Sequence, residues 1–152
     1  MTVFRDRKTL SADGLMPTGN HGLRDFDFPS SGIRVAAAVE VLLRLPQPQY
    51  DVLVERKSEW NWFIPHYQMW GRVSRLLPVI TVYLNPNLEV LSIDACIGLV
   101  AHELSHLILD HADGNQDWKT RESDANDLLA SMGFAEEFKL FESELKRTFN
   151  AD

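Results

Sequence analysis

Apolar residues recur along the chain with two periodicities, and together these predict most of its elements. Over 93–111, Ile93, Cys96, Ile97, Val100, Leu104, Leu107 and Ile108 repeat at helical spacing and gather on one face, behind Ser92 as N-cap and Asp94 in the first turn. The Ala- and Leu-rich run Ile33–Arg44 predicts an earlier helix, capped by Ser30 or Ser31 and stopped by Pro46 and Pro48. Two further helices are expected over 120–131 and 135–148. Residues 50–56 and 79–85 are rich in β-formers and bounded by prolines, and in the second run Ile80, Val82 and Leu84 alternate with Thr81 and Tyr83. Both predict strands. Between them Trp60, Trp62, Phe63, Tyr67 and Trp70 suggest further strand and loop, interrupted by Pro65 and Gly71. Residues 1–31, with Gly14, Pro17, Gly19, Gly22 and Pro29 and no sustained period, predict an irregular arm ahead of one domain over 32–152. The order helix, strands, helices predicts an α+β fold whose sheet precedes its helical half.

Composition narrows the function classes. A chain of 152 residues with 45% apolar and 24% charged residues is long enough to bury a core of its own. Fifteen basic against 22 acidic residues leave a net charge of -7, and no basic patch stands out, which disfavours nucleic acid as partner. No run approaches the roughly 18 apolar residues of a membrane span, and the first ten residues do not read as a signal peptide, so a membrane role is not expected. The single cysteine, Cys96, cannot form an internal disulfide, so a cytoplasmic location is expected and any metal must rest on histidine and carboxylate ligands.

Such ligands stand on the helix of 93–111. His102 and His106 lie four residues apart, away from the apolar face, with Glu103 at their flank; the segment reads HELSH, an HExxH motif. Side chains at i and i+4 point the same way, so two imidazoles can hold one zinc ion while the intervening Glu reaches its water. A catalytic zinc takes three protein ligands, and three residues compete for the third place. On a continued helical wheel His111 falls far round from both histidines, which suits a partly buried structural residue. Asp110 shares their helix and would give poor tetrahedral spread. Glu122, 16 residues beyond His106 and past a turn at Gly114 and Asn115, opens the next helix and can fold back over the metal. One turn on, Asn126 can accept a hydrogen bond from the outer N–H of a ligand histidine, while Asp124 and Asp127 read as solvated helix residues.

The segments AHELSHLILDH and RESDANDLLASMGF, with VITVYLNPN before them, resemble the gluzincin metallopeptidases, and among these the ImmA/IrrE-type peptidases, although Ser105 stands where that family usually has Gly. The resemblance implies a zincin-like domain in which His102, His106 and Glu122 bind zinc, Glu103 is the general base and Asn126 orients a ligand. The implied reaction is hydrolysis of a peptide or protein substrate, with a transcriptional regulator among the candidate partners. His66, Tyr67, Tyr83 and Arg121 are the residue types available to stabilise the oxyanion, and His21 in the arm could add a fourth ligand. The strand of Ile80, Thr81, Val82, Tyr83 and Leu84 is expected at the sheet edge, where an extended substrate could add as a further strand. The competing expectation is a zincin-fold module that keeps zinc and binds a peptide or regulator without cutting it.

Overall fold

Asp6 accepts a hydrogen bond from the backbone N–H of Thr9 at 2.9 Å and caps a short helix, α1 (Arg7–Ala12), whose Leu10 is buried. The computed structural model describes residues 5–17, 32–62, 70–76, 79–111 and 116–149. Part of the stretch expected as irregular arm is therefore a helix. It is tied to the core where the Arg5 guanidinium donates to the carbonyls of Leu42 and Leu45 at the end of α2 (Ile33–Arg44). Gly32 occupies the N-cap position of α2, and the expected caps Ser30 and Ser31 lie outside the described residues.

The strand expected over 50–56 is instead a helix, α3 (Gln47–Glu55). Pro46 sits at its N-cap and Pro48 in its first turn, where a proline's missing N–H leaves no helical hydrogen bond unmade. The prolines that end α2 thus begin α3. Tyr50 and Leu53, three residues apart, form its buried face.

Three strands follow, β1 (Trp60–Asn61), β2 (Gly71–Leu76) and β3 (Val79–Leu84), in the spatial order β1-β3-β2. β3 runs antiparallel to β2, with Val73 opposite Val82 and Gly71 opposite Leu84, and parallel to the short β1, with Trp60 opposite Ile80. The sheet is mixed. The expectation that Ile80–Leu84 forms an edge is corrected by this order: β3 is the central strand, and β1 and β2 are the edges among the described residues. The reason is non-local. β1 contributes only two residues, but with the N–H of Ile80 donating to the Glu59 carbonyl at 2.8 Å it occupies the start of β3 on the side away from β2.

A turn of 3-10 helix (Pro86–Val90) leads to α4 (Ile93–Ile108), α5 (Trp118–Ser131) and α6 (Ala135–Phe149). Ser92 caps α4 by accepting from the Ala95 N–H, and its own N–H and hydroxyl donate to Glu144 of α6. α4 touches α2, α5, α6 and the sheet, and every residue from Ala95 to Leu107 is buried. At Gly98 the approach to α6 is closest: a Cβ there would lie 2.3 Å from the Glu137 carbonyl oxygen. The polar side of α4 consequently faces α5, α6 and β2 instead of water. Ser105, buried in this helix, donates its hydroxyl to the Ala101 carbonyl at 2.8 Å. No helix among the described residues is long and apolar enough to cross a membrane.

Candidate metal centre

Helical geometry places His102 and His106 one turn apart on α4, with their Nε2 atoms 3.1 Å from each other. The third group comes from α5. Asp117 caps that helix through the N–H and hydroxyl of Thr120, which fixes where its first turn begins and so where Glu122 stands. One Glu122 carboxylate oxygen lies 3.1 Å from His102 Nε2 and the other 3.0 Å from His106 Nε2. His102, His106 and Glu122 form a group able to hold a metal ion, its ligand atoms all within 4.8 Å of one another. Gly114 and Asn115, the expected turn, lie outside the described residues.

The outer nitrogens of both histidines are engaged. His102 Nδ1 donates to Asn126 Oδ1 at 3.0 Å, and the Phe138 ring of α6 stacks parallel on the His102 imidazole, centroids 4.7 Å apart. The close contact at Gly98 brings α6 near enough for this. His106 Nδ1 lies 2.9 Å from Nδ1 of the buried His111. Sequence reasoning gave His111 no part here because it extended the helix through residue 111. α4 ends at Ile108, and Asp110, at φ 62°, turns the chain so that the following imidazole swings back over His106. Asp110 itself points to Arg56, 3.1 Å away, and is not among the three.

Glu103 is buried, and burial, only partly offset by His102 and His106, raises its carboxyl above the ordinary range. Space for it depends on β2: a Cβ at Gly71 would come within 2.8 Å of Glu103 Cγ and 2.9 Å of its Oε1. The absence of a side chain at residue 71 is what lets the sheet edge lie against this carboxylate. Hydrogen bonds from His102 and His106 hold the Glu122 carboxyl far below its usual range. For His102, burial disfavours the imidazolium, but Glu122, Glu103 and Asn126 together outweigh it and raise the pKa. His111 is lowered, first by burial and then by His106.

The remaining sequence candidates are scattered. His66, Tyr67 and His21 lie outside the described residues. Side chains alternate across a strand, so Gly71 and its partner Leu84 face α4 together with Val82 and Ile80, while Thr81 and Tyr83 face away. Tyr83 is therefore on the wrong side of the sheet to meet Glu103. Arg121 precedes Glu122 but turns its guanidinium towards the carbonyl of His111, 3.5 Å away. Asp127 is exposed on α5.

The donor set is one that could hold a metal ion. Both Nδ1 atoms have outer partners, and both Nε2 atoms and the Glu122 carboxylate converge on one point. Comparison of the chain with protein-family models, curated proteins and solved structures yields no match. The reading of this centre rests on its own residues.

Proposed function

We propose that this chain is a zinc-dependent peptidase of the gluzincin type, similar to the ImmA/IrrE-type peptidases. The observation that carries the reading is the convergence of His102, His106 and Glu122 from two helices, with the buried Glu103 carboxylate beside them. A zinc ion held by His102, His106 and Glu122 would supply an activated water and polarise a scissile carbonyl. Glu103 would act as general base, taking a proton from the attacking water and passing it to the departing amine. Its raised pKa suits both halves of that task, because a carboxylate made more basic by burial accepts a proton more readily.

The substrate is an extended peptide segment, a regulator protein among the candidates, that adds to β2. Since Ile80 donates towards β1 and Asn85 donates to Trp70, the residue before β2, alternation turns the N–H and C=O groups of Gly71 and Val73 away from β3, towards the open edge. Gly71 is also the residue against Glu103, so a strand added at this edge runs past the general base. A non-cleaving, zinc-keeping module is the competing reading, and the intact Glu103 argues against it. Incubation with denatured casein and with candidate regulator proteins, with and without a chelator, decides between them. Chelator-sensitive cleavage is expected; zinc uptake with no cleavage would leave a binding module.

A further inference from the structure

His106 and His111 are five residues apart, and on an unbroken helix they would point about 140° away from each other. The end of α4 removes that separation. Leu109 is the C-cap, Asp110 takes the left-handed conformation, the N–H of His111 donates to the His106 carbonyl at 2.9 Å and that of Asp110 to the Leu107 carbonyl at 3.1 Å. This is the pair of backbone bonds that commonly closes a helix, in which the side chains of the two end residues meet in an apolar contact. Here the meeting side chains are two buried imidazoles, their Nδ1 atoms 2.9 Å apart and their rings tilted by 56°. Arg121, next to Glu122 in sequence, reaches the His111 carbonyl and ties this turn to α5.

A contact of this length between two ring nitrogens needs a hydrogen on one and a lone pair on the other. His106 Nε2 faces Glu122 and His102, and a metal ligand carries no hydrogen on its ligating nitrogen. With a metal on Nε2, the hydrogen would be on His106 Nδ1 and His111 Nδ1 would accept it. We infer that His111 is a positioning residue for the metal centre: a neutral imidazole acceptor that sets the tautomer and the ring orientation of His106, as Asn126 does for His102. The inference rests on the proposed zinc site and adds to it a residue that touches no ligand position. It also gives the unusual backbone at Asp110 a purpose beyond ending the helix.

The test uses apo-protein titrated with Zn²⁺ against a competing chelator, and with Co²⁺ read by its ligand-field absorption. His111→Leu keeps bulk and removes the acceptor; His111→Asn places an amide oxygen near the former Nδ1. The leucine variant is expected to bind Zn²⁺ about 10- to 100-fold more weakly with an altered Co²⁺ spectrum. The asparagine variant should return to within about threefold of wild type with the wild-type spectrum. Equal affinity in wild type and His111→Leu, or equal loss in both variants, overturns the role of His111 while leaving the metal site standing. A wild-type protein that binds no Zn²⁺ overturns the metal site and this inference with it. Should the variants fail to fold, long-range ¹H–¹⁵N spectra of zinc-loaded wild type decide: hydrogen on Nδ1 of His106 and on Nε2 of His111 is expected, and hydrogen on Nδ1 of His111 overturns the assignment.

Discussion

Gly71 on β2 and Glu103 on α4 are in direct apposition: a single added methyl group at residue 71 would stand 2.8–2.9 Å from the Glu103 side chain. Contacts that short do not persist, and the group that can move is the end of the flexible glutamate. Gly71→Ala is therefore expected to fold and to bind zinc as wild type does, since its backbone is not in the left-handed region that favours glycine. Displacing the carboxylate should lower kcat by about 10- to 100-fold, measured by peptide hydrolysis at equal zinc content. Unchanged kcat would mean that Gly71 does not confine the base.

Glu103 also costs the metal-free fold stability. Burial raises its carboxyl pKa, so below the ordinary value of 4.5 it is protonated in folded and unfolded chains alike and its ionisation adds no cost. As pH rises through that value the unfolded chain ionises first, and folding becomes progressively less favourable until the folded group ionises too. Glu103→Gln should accordingly raise the Tm of chelator-treated protein at pH 7 by roughly 2–4 °C, corresponding to about 1 kcal/mol for a chain of this size. The gain should shrink towards zero as pH falls below that value. In the zinc-loaded state the same variant should retain metal and lose hydrolysis, because only the proton acceptor is gone. A variant cleaving as fast as wild type would remove Glu103 from the mechanism.

Proline placed in each of two facing strand positions separates the edge from the centre of the sheet. Val82 is fully buried in the central strand, and Val82→Pro should lower Tm by roughly 10 °C or more. Its partner Val73 lies on β2 with its N–H turned outward. Val73→Pro should leave zinc content and secondary structure near wild type and weaken binding of an uncleaved peptide by the Glu103→Gln background protein. Thermal melts and peptide titration check the pair. Equal unfolding by both prolines would contradict the assignment of β2 as an edge, and unchanged peptide affinity in folded Val73→Pro would show that substrate docks elsewhere.

How far the sequence disclosed this arrangement depended on whether the deciding contact was local. His102, Glu103 and His106 were legible because helical spacing alone puts i and i+4 side by side. Glu122 and Asn126 were legible because a short connection must return α5 across α4. α3 is not legible in the sequence, since Tyr50, Val52 and Val54 are strand-formers and prolines 46 and 48 read as terminators, whereas proline in a first turn starts a helix. The part played by His111 was hidden by one left-handed residue, Asp110, a conformation that a helical wheel does not contain and that glycine more often supplies. The central place of β3 and the contact of Gly71 with Glu103 depend on pairing between distant segments, which neither alternation nor spacing encodes.

The central claim is that one zinc ion is held by His102, His106 and Glu122. Its most direct test is the Zn²⁺ stoichiometry and affinity of chelator-stripped protein measured by titration in wild type and Glu122→Ala. The account predicts one ion per wild-type chain and a loss of at least about 100-fold in affinity when the only ligand from the second helix is removed. Failure of the wild type to bind Zn²⁺, or binding by Glu122→Ala with wild-type affinity, would contradict it.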